Sequence, residues 1–220
     1  MSTVEAPARA PRPIGLAPGA PERAAGQDAA KYGSTNPVVR RLLDRWTGRL
    51  REVVGPLPAT VVDVGVGEGL CLERLLAGSA SRTRLVGVEY RFDKSRAAAD
   101  RLPAVALAVG DAGMLPLPTG AAEMVTCIEV LEHLPTPVPA VAELARVTAD
   151  RCVVSVPWEP WFRLGNLGRG KNVGRLGNDP EHVQWFTPGR LRRLLAGSFA
   201  EVRVVRAFPW IIAEARAPRR

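Results

Sequence analysis

The chain has 220 residues, 46% of them apolar, and a mean hydropathy near zero, which suits one domain with a real core plus a tail. Its net charge of +8 is uneven: residues 1–160 carry 18 basic and 18 acidic side chains, and residues 161–220 carry 12 and 4. No apolar run reaches the ~20 residues of a membrane helix, no apolar signal core opens the chain, and Cys71, Cys127 and Cys152 lack paired spacing and read as buried free thiols, so a cytoplasmic protein without membrane insertion is expected.

Residues 1–30 are rich in Ala, Pro, Gly and Arg and read as a disordered leader, with order beginning near Lys31. Asn36 followed by Pro37 is a helix start, a capping side chain and then proline in the first turn. Val39, Leu42, Leu43, Trp46, Leu50, Val53 and Val54 repeat at helical spacing until Pro56 and Pro58 stop the helix. Strands are then predicted at 60–64, 84–89, 104–108, 123–128 and 151–156, with helices at about 69–77, 93–101 and 137–148. This alternation predicts an α/β fold: a Rossmann-like, doubly wound, mostly parallel sheet with helices on both faces. Residues 157–187 break the rhythm and read as a lid or substrate-binding insertion within the single domain of residues 31–220. A helix at 188–196 follows, then strands at 200–206 and 208–215. Their tight connection at Phe208-Pro209 implies an antiparallel pair.

The stretch VVDVGVGEG, Val61 to Gly69, reads as a buried strand ending in a glycine turn. Gly65, Gly67 and Gly69 allow close backbone approach and backbone angles that side chains resist. A dinucleotide fingerprint wants its third glycine one place later, where Leu70 stands. Asp63 lies just before the turn and would repel a pyrophosphate. The corner therefore suits a nucleoside without phosphates that carries positive charge. Glu89 ends the next strand, where a carboxylate suits ribose hydroxyls, and Asp111 follows the third strand, where it can take the amine of adenine. Each acid alone reads equally well as a turn residue or cap, but three at successive strand ends point to one ligand.

DVGVGEG, GVEYR and GDAGMLPLPTGAAEMVTCIEVLEHL, in that order, resemble the class I S-adenosylmethionine-dependent methyltransferases over roughly residues 31–215. The likeness is closest to the group that includes the ubiquinone-biosynthesis O-methyltransferases. The resemblance implies a seven-stranded sheet with its last strand antiparallel. It also implies S-adenosylmethionine as cofactor: Asp63 and the three glycines on the methionine part, Glu89 on the ribose and Asp111 facing adenine. Ala112 and Ile128, beside Asp111 and at the end of the fourth strand, are placed against the same cofactor. The chain departs from the family at Ala122-Glu123, where Phe and Asp are common. Lys31-Tyr32 would fold over the cofactor or pack.

Methyl transfer needs an aligned acceptor that loses a proton. The chain has two histidines, His133 in CIEVLEHL and His182 in DPEHVQWF, and both are candidate bases. Glu129, Glu132, His133 and His182 are also suitable ligands for a divalent metal. Their E-x-x-E-H pattern is similar to the metal site of RNA 3′-terminal 2′-O-methyltransferases and occurs in the ubiquinone O-methyltransferases. VLEHL is frequent across the wider family without a metal, so a metal is not the favoured reading. Trp158, Trp161, Phe162, Trp185 and Phe186 would line an aromatic acceptor pocket or form a small core of their own. Arg163, Arg169, Lys171 and Arg175 would hold an anionic group. The favoured partner is a small-molecule acceptor, aromatic or anionic, methylated on oxygen, under a lid at 157–187. The alternatives are a metal-dependent RNA 2′-O-methyltransferase, a cofactor-binding partner protein without catalysis, and a nicotinamide oxidoreductase that the glycine spacing disfavours.

Overall fold

Parallel strands buried on both faces read as apolar runs, and TVVDV, AEMVTCI and CVVSVP form the middle of a seven-stranded sheet. A computed structural model of the chain describes residues 31–77, 82–168, 170, 174, 176 and 182–219; the expected leader at 1–30 lies outside them. In chain order the elements are α1 (Pro37–Val54), β1 (Thr60–Val64), α2 (Leu70–Leu76), β2 (Arg84–Glu89), α3 (Phe92–Arg101), β3 (Ala106–Val109) and β4 (Ala122–Ile128). A short 3-10 turn (Leu131–His133) precedes α4 (Pro137–Val147), β5 (Thr148–Pro157), α5 (Trp161–Gly168), α6 (Pro188–Ala196), β6 (Phe199–Ala207) and β7 (Trp210–Pro218).

The sheet order is β3-β2-β1-β4-β5-β7-β6. β1 pairs in parallel with β2 and β4, while β7 runs antiparallel between β5 and β6. This is the predicted architecture, with the antiparallel strand last. The order reverses at β1, so a crevice opens beyond its C-terminal end, where open α/β sheets take ligands.

Alternate residues of a strand face opposite sides. Val62, Val64, Val125, Cys127 and Val154 pack with α4 and α6 on one face. Val61, Met124 and Val153 pack on the other, against Leu43, Trp46, Leu50, Val53 and Val54 of α1. The apolar stripe of α1 explains its place there. Its start is the predicted one: Asn36 Oδ1 accepts from the N–H of Val38 and of Val39. Trp46 is fully buried, stacks on Trp210 at 5.1 Å, and donates its Nε1–H to Ser155 Oγ at 3.0 Å. Cys127 and Cys152 are buried and Cys71 is partly buried, all as free thiols.

Residues 157–187 are not without structure. WFRLGNLG forms α5, a helix too short and too glycine-rich to show a period in sequence. Its N-terminus is held by Glu159, whose Oε2 accepts from the Arg163 N–H at 3.4 Å. Residues 171–173, 175 and 177–181, inside the expected lid, lie outside the described residues. Among the described residues no helix is long and apolar enough to cross a membrane.

Candidate functional site

The turn after β1 is built by hydrogen bonds to β2. Gly65 N–H and Val66 N–H both donate to the Val88 carbonyl, at 2.7 and 3.2 Å. Gly65, Gly67 and Gly69 all have positive φ, at 77°, 57° and 81°. At Gly65 this freedom is coupled to space: a Cβ there would lie 2.2 Å from Cγ2 of Val130. The glycine thus lets the Val130 side chain pack directly onto the turn, with no room left for a methyl group.

Three carboxylates lie at or just past the ends of successive strands, as expected. Glu89 accepts from the Gly67 N–H at 2.8 Å and from the Arg91 N–H at 3.0 Å, which ties the second strand to the glycine turn. Its two oxygens keep lone pairs for two hydroxyls. Asp111 Oδ1 accepts from the Gly113 N–H at 2.8 Å, whereas its buried Oδ2 has no hydrogen-bond partner among the described residues. A buried acceptor left open is costly and suits a ligand amine. Ala112, next to it, packs half-buried on the core, and Ile128 is buried at the end of β4.

Asp63 is the most perturbed of the three. Burial pushes its carboxyl up to about 6, the Thr126 hydroxyl at 2.5 Å pulls it down, and the charge of Glu89 pushes it up again. A raised carboxyl is a stored electrostatic cost that a cationic ligand relieves. The sign follows directly. The unfolded Asp63 ionises near 3.8 and the folded one near 6, so its contribution to stability falls as pH rises between those values. Asp63→Asn is therefore expected to raise the unfolding temperature at pH 7–8 and to give no gain near pH 3.8, the two scans being compared with the wild type. The same variant should bind S-adenosylhomocysteine at least about tenfold more weakly, through the loss of one charge-assisted contact.

Beyond the glycine corner, β4 is followed by Glu129, a non-glycine residue at φ 59°. The conformation turns its carboxylate into a nest of cations and rings. Lys31 donates to Glu129 Oε2, and Trp210 Nε1–H to Oε1. Burial would raise this carboxyl, but Lys31, Trp210 and the charge of His182 hold it below the usual carboxylate range. The Lys31 ammonium also lies 5.3, 5.7 and 5.4 Å from the ring centres of Tyr32, Trp46 and Trp210. Lys31 therefore reaches Glu129 beyond β4, and Tyr32 packs on the α1 side of the core; Trp210 carries no mark in its sequence surroundings.

The two histidines meet. His133 leaves the 3-10 turn and His182 arrives from the segment before α6, and their ring centres are 5.2 Å apart. The backbone fixes this encounter: Val183 N–H and Gln184 N–H both donate to the Glu132 carbonyl, at 2.9 and 3.0 Å, and Gln184 Nε2 donates to the Pro135 carbonyl at 2.8 Å. One ligand atom from each of Glu132, His133 and His182 lies within 4.8 Å of the other two. Glu129, the fourth residue of the expected metal set, is engaged instead by Lys31 and Trp210.

The aromatic residues divide. Phe162 faces the histidines, 5.4 Å from the His182 ring and 5.9 Å from Trp210. Phe186 is buried in the main core, while Trp161 and Trp185 are exposed and Trp158 is half-buried. So of the expected group only Phe162 lies beside the histidines, next to Trp210. Arg163 turns outward over the Trp185 ring, and Arg169, Lys171 and Arg175 lie outside the residues described in detail.

Comparison with known proteins bears on the domain and its fold. Residues 62–155 match a family model described as a methyltransferase domain. A curated relative, an uncharacterized 37.1 kDa protein in transposon TN4556 of Streptomyces fradiae, is 31% identical over 106 residues, covering 46% of this chain and 31% of that protein. The chain thus matches about a third of that relative's length. A structure of a SAM-dependent methyltransferase from Aquifex aeolicus superimposes with a TM-score of 0.62 at 18% identity, covering 85% of this chain and 96% of that one. Magnesium protoporphyrin IX methyltransferase from Synechocystis, solved with bound SAH, also gives 0.62 at 18% identity, covering 86% and 92%. Residues 62–155 thus match a methyltransferase domain, and the chain shares the fold of a SAM-dependent methyltransferase of known structure.

Proposed function

We propose that the chain is an S-adenosylmethionine-dependent methyltransferase acting on a hydroxyl of a small-molecule acceptor. One observation carries the acceptor side: the paired His133 and His182, with Phe162, beyond the end of β4 and close to the cofactor corner. The cofactor supplies an already activated methyl group. The protein's work is to bind, align and deprotonate.

Asp63 would take the cofactor's ammonium, Glu89 the ribose hydroxyls, and Asp111 Oδ2 the adenine amine. Phe162 and Trp210 would form the apolar wall that excludes water. An imidazole nitrogen of His133 or His182 would accept the acceptor's hydroxyl proton, since imidazole titrates near neutrality. The neighbouring ring and the Glu129 carboxylate would stabilise the imidazolium.

The test has two arms. Calorimetric titration with S-adenosylhomocysteine and with a nicotinamide dinucleotide should give heat only with the former. Incubation of the protein with methyl-labelled cofactor and a cell extract should label a small molecule. Label confined to RNA ends would replace the acceptor class proposed here. Cofactor binding without any labelled product would favour a binding partner over an enzyme.

A second reading rests on the closeness of Glu132, His133 and His182. Two imidazoles and a carboxylate suit a divalent ion, which would acidify a bound hydroxyl. Ligands about 2.1 Å from a tetrahedral ion stand roughly 3.4 Å apart, so the three atoms would have to draw together slightly. On this reading purified protein contains stoichiometric metal, EDTA removes both metal and turnover, and Zn²⁺ or Mn²⁺ raises the unfolding temperature of wild type but not of Glu132→Gln. Metal-free protein with undiminished turnover eliminates it.

A further inference from the structure

The outer side of α5 carries a band of exposed rings and guanidinium groups for which the methyl-transfer reading has no use. Phe162 and Asn166, four residues apart, turn inward. The opposite side is bare: Trp161 is 44% exposed, Leu164 53%, Trp185 52%, and Phe208, in the β6–β7 turn, 52%. Soluble surfaces rarely group large apolar side chains in this way without a partner.

Trp161 and Phe208 form one ring cluster with Trp158, and Trp185 lies on α5's Arg163. The rings of Trp161 and Phe208 are 6.2 Å apart, and both contact Trp158, at 6.4 and 6.5 Å. Arg206 stacks 5.3 Å over Trp158, and Arg163 stacks 5.2 Å over Trp185. Arg190 Nη1 donates to the Trp185 carbonyl at 2.6 Å, which extends the cationic rim to α6. Within the described part of residues 158–190 the one carboxylate, Glu159, is buried. The band lies in the quarter of the chain that holds all of the +8 net charge.

We propose that this band is a peripheral docking surface for an anionic phospholipid bilayer. Indole, with its polar N–H edge, settles at headgroup level, and phenyl and leucyl side chains enter the headgroup/acyl boundary. Arginine pairs bidentately with phosphate, and a basic surface is drawn to anionic lipid at short range. A protein partner would have to bring both acids and an apolar socket, whereas an anionic bilayer offers phosphate and acyl carbon at the depths these side chains reach. This attachment requires no spanning helix. A consequence, which rests on the methyltransferase reading, is that the acceptor is amphiphilic. The helix that would meet the bilayer on one side presents Phe162 to His182 on the other.

The experiment is flotation of the full chain with phosphatidylcholine vesicles, alone or containing phosphatidylglycerol. Binding is expected only with phosphatidylglycerol and should fall with added salt. Arg206→Gln and Arg163→Gln should each weaken partition about fivefold. Trp161→Ser combined with Phe208→Ser should weaken it more than tenfold, with unfolding temperature and S-adenosylhomocysteine affinity unchanged. If the Trp161/Phe208 variant does not fold, the two arginine variants decide. The proposal is overturned if phosphatidylglycerol vesicles do not bind the protein, or if all variants bind as the wild type does. It is equally overturned if sedimentation shows a self-association that these variants abolish. Because the readout is lipid binding, it stands or falls separately from methyl transfer.

Discussion

Gly65→Ala is expected to destabilise the protein by about 2–5 kcal/mol and to abolish tight binding of S-adenosylhomocysteine. Two causes add. An L-residue at φ 77° sits in the left-handed region, at about 1–2 kcal/mol. The new methyl group would also fall 2.2 Å from Val130 Cγ2. Val130 is β-branched and stiff, so the backbone must yield, at roughly 1–3 kcal/mol for overpacking. For a domain of this size the unfolding temperature should drop by on the order of 10 °C. Gly48→Ala is the internal control. Gly48 is exposed in the middle of α1, with nothing within 4 Å of its added Cβ. There alanine should stabilise by about 0.5–1 kcal/mol, because helical glycine carries the larger entropic cost. If both variants melt alike, the close approach at Gly65 is not what the turn depends on. If Gly65→Ala melts early yet binds the cofactor normally, the turn is structural and the cofactor is held elsewhere.

The largest effect on turnover is expected from the histidine pair. His133→Ala and His182→Ala should each lower kcat by about 10²–10⁴, the usual worth of a positioned acid or base. Cofactor affinity should stay within about twofold, since Glu89 and Asp111 are held by the backbone N–H groups of Gly67, Arg91 and Gly113. The pH profile separates roles. A base imposes a rising limb near neutrality, which its removal erases. The double variant should be little worse than the more severe single one, because groups acting as a unit are not additive. A pair that can be removed with activity intact would return the acceptor chemistry to Lys31 and Glu129, the other ionisable pair at the end of β4.

Much of this protein is local in its sequence. The order of strands and helices followed from apolar runs alternating with amphipathic stretches, since each strand buried on both faces must be continuously apolar. Asn36-Pro37 marked the start of α1 because capping and a proline first turn need only neighbouring residues. Asp63, Glu89 and Asp111 were legible because a strand's end is visible in sequence, and parallel register puts successive strand ends side by side. The α5 helix was not legible: eight residues with two glycines carry too few apolar positions to reveal a period.

The surroundings of the two histidines were decided by tertiary structure. Glu129 and Glu132 stand three apart and look like partners. Yet the left-handed backbone at Glu129 sends its carboxylate to Lys31 and Trp210, residues 98 and 81 positions away. His182 reaches His133 only because the segment before α6 hangs by two N–H groups on the Glu132 carbonyl. Of five aromatic candidates, packing chose Phe162 for the histidines, buried Phe186 in the core and left Trp161 and Trp185 outside. Periodicity reports which residues share a face of one element. Which faces of different elements then meet depends on contacts between residues far apart in the chain, and those contacts leave no spacing to read.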